Sequence, residues 1–470
     1  MIGVGVDFGT SNSTVAWFDG RRLHFVQVEG RGPIFPTAIH LSKDYAGTTG
    51  AAAIERYVEE NSARLVHMVP EIIGQAAGEI SDRTTESDMG ELETSRNVVF
   101  GPLIDRGLPG RLFLGLKRLL GNPAINRLSV FSRPYRLVAL LTPLLKRMRE
   151  SLEHATQAAV GPVHVGRPVD FEGGDGRRNA VALKRLAEAC VHAGFRQVEF
   201  YPEPVAATLS FLWQREKRAA STLLTVDFGG GTLDLSVVRH AADEFNVLAT
   251  AGEDLGGDRI DQLIFRRLLF PLLGEGESWS RVVDGRLIAT QFPFDDYAEG
   301  LLNWAITHTL NQNRYKTKLT ELIDRGGPAT VKFERLKDVI NYNYSYNIFS
   351  AIKKAKAELS VIEETTIDIP ELNLMIPFTR DMLDQMLSAM MGRLGELIHL
   401  VLGRAGVTID AVDLVVRTGG SSQIVAVRDL LEGFFPGKVT EHDPFTSVAG
   451  GLAIANYHGY RFVAPGDAEP

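Results

Sequence analysis

The tetrapeptide Val-Asp-Phe-Gly occurs twice, at positions 6–9 and 226–229, once near the start of each half of the chain. A repeat of this kind constrains the fold more than any composition figure, because two copies of one local structure imply two like-folded units. The first copy lies in Val4-Gly5-Val6-Asp7-Phe8-Gly9-Thr10 and the second in Leu224-Thr225-Val226-Asp227-Phe228-Gly229-Gly230-Gly231-Thr232. In both, an aliphatic run enters Asp-Phe-Gly, and small polar or glycine residues follow. A second aliphatic run then leaves, Ser13-Thr14-Val15-Ala16-Trp17-Phe18 in one copy and Leu233-Asp234-Leu235-Ser236-Val237-Val238 in the other. Each copy reads as a β-hairpin. A tip of Gly, Thr and Ser lets backbone N–H groups approach an anion closely, and an acid at the strand end suits a hydrated cation. A single glycine turn beside an Asp is most often only a turn; the recurrence is what favours two lobes gripping the phosphates of a nucleotide between them.

At 470 residues, 44% hydrophobic and 23% charged, the chain has material for more than one core, and two lobes are expected. We expect lobe I over 1–216, lobe II over 217–446, a returning helix at 447–463 that packs back on lobe I, and a flexible tail at 464–470. Fifty Lys and Arg against 58 Asp and Glu give a net charge of −8, with no basic surplus for a nucleic-acid backbone. The lone cysteine, Cys190, falls in an apolar helical pattern and fits a buried thiol in a reducing compartment. The N-terminus has no signal-peptide pattern, and the apolar stretch 137–145, broken by Thr142-Pro143, is far short of a membrane span. A cytoplasmic protein with no membrane and no nucleic-acid partner is expected.

Phosphoryl transfer asks a protein mainly to position groups and neutralise charge. Asp7 and Asp227 are the metal-side carboxylates, acting on Mg²⁺ through water, and Thr10 and Thr232 supply hydroxyls to phosphate oxygens. Asp234, two residues past Thr232, either binds a second cation or finishes the turn. By pattern alone Lys117 is a solvated helix charge and Glu203, between Pro202 and Pro204, an ordinary helix-start acid. Gly419-Gly420-Ser421-Ser422 follows an apolar strand at 412–416 and precedes a helix, a place for a nucleotide or simply for close packing. The Walker-type loop, the dinucleotide-binding glycine fingerprint and paired His or Cys metal spacings do not occur.

Taken together, these segments resemble the nucleotide-binding domain of the 70-kDa heat-shock protein family, the DnaK-type chaperones of the actin-like ATPase superfamily. The likeness is carried by Gly5-Val6-Asp7-Phe8-Gly9-Thr10-Ser11-Asn12-Ser13, the lysine helix at 115–121, Glu203-Pro204-Val205-Ala206-Ala207, Val226 through Asp234, Leu255-Gly256-Gly257-Asp258 and Gly419-Gly420-Ser421. It implies an α/β fold of two duplicated ribonuclease H-like lobes around a central nucleotide cleft. It raises Lys117 to a catalytic lysine near the terminal phosphate and Glu203 to a water- or metal-organising carboxylate, beside Asp7, Asp227 and Thr232. It implies ATP or ADP with Mg²⁺, and a potassium side site left open by Asn12. The phosphates would lie on Gly9, Thr10, Ser11, Asn12, Gly229, Gly230, Gly231, Gly256 and Gly257, and adenosine against Lys353, Lys356, Ser360, Gly419, Gly420, Ser421 and Gln423. Three positions depart from the family: Lys353 replaces a ribose-binding glutamate, and Ala357 and Gln423 replace two stacking arginines, implying weaker affinity or looser base choice.

The chain ends soon after the returning helix, so no peptide-binding domain is expected, as in the truncated YegD-type branch of the family. Insertions are expected over 51–98, with six acids and one arginine between Glu79 and Glu93, and over 258–385, including Tyr342, Tyr344 and Tyr346. The function expected is a chaperone-like ATPase, slow in turnover, that passes its nucleotide state to an unknown protein partner or exchange factor. A small-molecule kinase of the same superfold would need a base aspartate that we do not find, and a non-hydrolysing scaffold would not need the intact acids.

Overall fold

Side-chain alternation with period two builds the first hairpin. In the strand Gly3–Phe8, Val4, Val6 and Phe8 are buried in one core while Gly3, Gly5 and Asp7 take the other face. The strand pairs antiparallel with Asn12–Phe18, Asp7 standing opposite Thr14. The second hairpin repeats the plan. Ser221–Phe228 pairs antiparallel with Leu233–Ala241, Asp227 standing opposite Asp234, and Leu224, Val226 and Phe228 enter a second core. Phe8 and Phe228 are fully buried at equivalent positions, each stabilising its lobe by roughly 1.5–3 kcal/mol. These descriptions come from a computed structural model that covers all residues except 1, 31, 78–95, 106, 132, 169–170, 172–175, 214–220, 242–243, 285 and 461–470. The acid-rich stretch 79–93 and the tail 464–470 fall outside the described residues.

Each hairpin is the centre of a sheet. In the first, Val163–Arg167 and Val198–Pro202 extend the parallel side and Leu23–Phe25 the antiparallel side. In the second, Leu414–Thr418 and Val439–Glu441 extend the parallel side and Glu244–Glu253 the antiparallel side. Leaving aside the short strand Ile34–Pro36, which also pairs with Asn12–Phe18, both sheets run in the order third, second, first, fourth, fifth, counting the strands of each sheet along the chain. The repeated tetrapeptide therefore marks a repeated sheet.

Two helices, Glu203–Trp213 and Ser447–His458, tie the lobes together. A Cβ on Gly3 or Gly5 would overlap the Ala453 or Ala449 carbonyl oxygen, so the helix Ser447–His458 lies directly on the bare face of the first strand. A Cβ on Gly451 would likewise overlap the Ala206 carbonyl oxygen, which brings the two helices backbone to backbone. Thr208 and Thr225 share a hydroxyl hydrogen bond between the helix Glu203–Trp213 and the second hairpin. The same small core takes in Ala16 and Phe18 from the first sheet and Val238 and Val247 from the second. A separate contact joins the helix Ala51–Asn61 to the second lobe, where the Tyr57 hydroxyl donates to the Ala305 carbonyl and lies 3.0 Å from His308 Nδ1.

Among the described residues one helix, Arg380–Ala405, has the length and hydropathy to cross a membrane. Its Leu383, Leu387, Leu394, Ile398 and Val401 are buried in the second core, and this accounts for its apolar face. Of the three tyrosines, Tyr344 packs on the second core, Tyr346 meets Trp304 with ring centroids 5.0 Å apart, and Tyr342 stays exposed. Cys190 is buried, and burial pushes its thiol up to about 12.

Gly451→Ala is expected to destabilise the protein by about 1–3 kcal/mol, because the obstructing atoms are backbone and cannot yield. Gly403→Ala, where a Cβ would meet open space on the helix Arg380–Ala405, is expected to stabilise by about 0.5–1 kcal/mol. Urea midpoints of the two variants against wild type check both.

Candidate functional site

Because Asp7 and Asp227 end equivalent strands, the two hairpins present them toward each other across the interlobe space. A cavity of about 690 Å³ lies there. Asp7, Gly9, Thr10, Ser11, Asn12 and Lys117 line it from the first lobe together with Glu203. Asp227, Gly229, Gly230, Gly231, Thr232 and Asp234 line it from the second hairpin. Gly257, Lys353, Lys356, Ser360, Gly419, Gly420, Ser421 and Gln423 complete the second-lobe wall. Gly256 is not among the residues that line it. A Cβ there would overlap the Gly230 carbonyl oxygen, so its role is to let the chain clasp the hairpin tip. Gly257 N–H then donates to the Gly229 carbonyl at 3.0 Å and Asp258 N–H to the Gly230 carbonyl at 2.9 Å.

Lys117 is not a solvated helix charge. It is 4% exposed, its Nζ donates to Glu203 Oε1, and its helix, Leu116–Leu119, is a single turn entered through left-handed Gly115. Burial works against the ammonium, but Glu203 and Asp7 outweigh it and hold the lysine above its ordinary value. Glu203 is the first residue of the helix Glu203–Trp213, and Ser447, which also lines the cavity, is the first of the helix Ser447–His458. Two helix N-termini thus open on the cleft, a field that favours anions.

The carboxylates outnumber the cations. Burial first, then Glu203 and Asp227, push Asp7 up to about 8 against the pull of Lys117. Burial, Asp234 and Glu203 push Asp227 up to about 8 as well. Asp234, opposite Asp227 in the ladder, is 4% exposed and accepts a 2.8 Å hydrogen bond from the Thr232 hydroxyl. A set of acids whose pKa values are raised this far is short of positive charge, which a divalent cation would supply.

The second-lobe wall is tied into its own network. Lys356 Nζ pairs with Asp261 Oδ1, which is 1% exposed, and reaches the Gly257 carbonyl at 3.3 Å. Lys353 Nζ lies 3.7 Å from Asp258. Lys353 and Lys356 sit on the helix Ser345–Glu358, and Ser360 lies two residues beyond its end. Gly419, at φ 82°, fits against the Phe228 backbone and Asp227, and the Ser421 hydroxyl donates to the Gly229 carbonyl at 2.9 Å. Gln423 Nε2 donates to Glu441 at 2.6 Å, which Arg417 also holds.

The family follows from comparison. A family model described as Hsp70 protein matches residues 124–271 and 332–456, more than half of the chain. The chain belongs to the Hsp70 family. It is 26% identical over 462 residues to the chaperone protein dnaK of Phaeodactylum tricornutum (strain CCAP 1055/1), over 96% of this chain and 60% of that relative. The chain thus spans about 60% of the length of the curated relative it matches. The gap in the Hsp70 match, 272–331, falls inside the stretch read from sequence as an insertion. Sequence reasoning left Arg118 without a role and passed over Asp261. The i, i+3 spacing of Asp258 and Asp261 just past Gly256-Gly257 was the available signal.

The raised pKa values set a stability trend. Between the ordinary aspartate value of 3.8 and about 8, native Asp227 keeps a proton that the unfolded chain has released. Its contribution is therefore fully present below 3.8 and lost as pH rises through about 8. Asp227→Asn removes that loss, so in chelator its urea midpoint is expected to rise relative to wild type between about pH 5 and about pH 9. A constant offset across that range would contradict the assignment.

Proposed function

We propose that this chain binds ATP with Mg²⁺ between its lobes and hydrolyses it slowly. The observation that carries the reading is the convergence of Asp7, Asp227 and Thr232 from two duplicated hairpins, with Lys117 and Glu203 from two helices, on one cavity. The hairpin tips offer backbone N–H groups and the Thr10 and Thr232 hydroxyls to the β and γ phosphates. Among the described residues no group of three or more His, Cys, Asp or Glu is placed to hold a metal directly, so Asp7 and Asp227, with Asp234 beside them, would hold Mg²⁺ through water. When bound, it neutralises charge on the phosphates.

In this reading Lys117 stabilises the charge that gathers on the terminal phosphoryl group, and Glu203 keeps its ammonium aimed into the cleft while accepting a hydrogen bond from the attacking water. The base lies along Lys353, Lys356 and Ser360 on one side and Gly419, Gly420, Ser421 and Gln423 on the other. Ala357 offers no guanidinium for stacking, so discrimination among bases is weak. ATP draws the hairpins together and ADP lets them part, and an unidentified protein partner or exchange factor in the cytoplasm senses the difference.

Lys117→Ala is expected to lower single-turnover hydrolysis by about 100-fold or more while ATP still binds. Labelled phosphate should appear in water and not on added sugars. Wild-type turnover in the variant, or transfer to a metabolite, would sink the reading.

A further inference from the structure

Arg118 follows Lys117 in the chain and lines the same cavity, but its side chain crosses to the other lobe. Its Nη2 lies 3.4 Å from Asp258 Oδ2 and would stand 3.0 Å from a Cβ on Gly231, at the tip of the second hairpin. Its Nε is buried with no hydrogen-bond partner. A guanidinium carries five N–H donors in a planar fork, so one long contact to a carboxylate leaves most of its capacity unused beside the two tips.

Asp258 is held as loosely. Ser11 Oγ reaches it at 3.4 Å and Lys353 Nζ at 3.7 Å. The Arg118 and Asp258 side chains are 34% and 39% exposed, a setting in which an ion pair adds little to stability. Three donors needed by an anion therefore converge on a side-chain carboxylate. Phosphate is the better partner for a guanidinium, since it takes two parallel, charge-assisted hydrogen bonds.

We propose that Arg118 grips the phosphate chain of the bound nucleotide and that Asp258 is a built-in competitor holding its place. The inference rests on the nucleotide reading of the cleft. Phosphates entering between the tips take Arg118, and with it Ser11, away from Asp258. The direct bridge between the lobes becomes a bridge through the ligand. Asp258 keeps its backbone N–H on Gly230 throughout, so the hairpin tip does not depend on its carboxylate.

Calorimetry on the full chain with Mg²⁺ and adenosine, ADP or a non-hydrolysable ATP analogue tests this. Arg118→Gln should weaken both nucleotides roughly 10- to 100-fold and leave adenosine unchanged, and Arg118→Lys should recover part of the loss. Asp258→Asn should bind both nucleotides severalfold more tightly, and that gain should shrink in the Arg118→Gln background. The proposal is overturned if Asp258→Asn binds more weakly, if its gain is the same without Arg118, or if adenosine falls with the nucleotides. Wild type binding neither nucleotide would overturn the ATP reading too, whereas tight wild-type binding untouched by Arg118→Gln would overturn only this inference.

Discussion

Around the buried ammonium of Lys117 the cleft is lined by the carboxylates of Asp7, Glu203, Asp227 and Asp234, with Glu253, Asp254, Asp258 and Asp261 also on its wall. Two like charges about 4 Å apart near a protein surface repel by roughly 4 kcal/mol, so such a group does not assemble for stability. It stays assembled because each of the first four acids is fixed by an element held elsewhere. Asp7 and Asp227 end central strands, Asp234 faces Asp227 in the ladder, and Glu203 begins a helix buried along most of its length. Burial first, and the crowding of like charges after it, raises the pKa of both aspartates, an environment that a cation with an anion behind it would relieve.

That fixation depends on how closely backbones approach. The helices Glu203–Trp213 and Ser447–His458 meet where Gly451 faces the Ala206 carbonyl, and the second of them lies on Gly3 and Gly5. Larger residues at these positions would push the sheets apart at the base of the cleft and separate the carboxylates. The hairpin tips are freer. Ser11 sits against Gly230 and Thr10 against Gly231, across the lobe boundary, with no covalent or helical link between them. A rigid base with tips joined only by side chains is the arrangement in which hinge motion changes the ligand site most for the least repacking.

Much of this was legible in the sequence because it rests on local pattern. The Val-Asp-Phe-Gly repeat announced both hairpins, and period-two alternation placed Phe8 and Phe228 in cores and the aspartates on the opposite faces. What could not be read was burial created by distant chain. Lys117 looked solvated because its own turn is short and its partner, Glu203, is 86 residues away. The close approach of the Gly230 carbonyl to Gly256 is likewise visible only in the fold. The helix Arg380–Ala405 does not stand out as an apolar segment because its buried residues are spaced at helical intervals among polar ones. The lysines at 353 and 356 kept their helical spacing but turned out to be engaged by Asp258 and Asp261, carboxylates nearly a hundred residues earlier.

The duplication also makes its departures from symmetry informative. Opposite Asp7 the ladder has Thr14, while opposite Asp227 it has Asp234. Lobe I sets Lys117 and Arg118 against Asp7 and Glu203, a balanced pair of pairs, whereas lobe II contributes Asp227, Asp234, Asp258 and Asp261, offset only in part by Lys353 and Lys356. The lobes are therefore electrostatically unlike across a structurally like interface. An anionic chain laid between them shields the lobe I cations from the lobe II acids, and only a cation on the acid side restores the attraction. The identity of what lies in the cleft, and not the packing at its base, then decides how firmly the tips are held together.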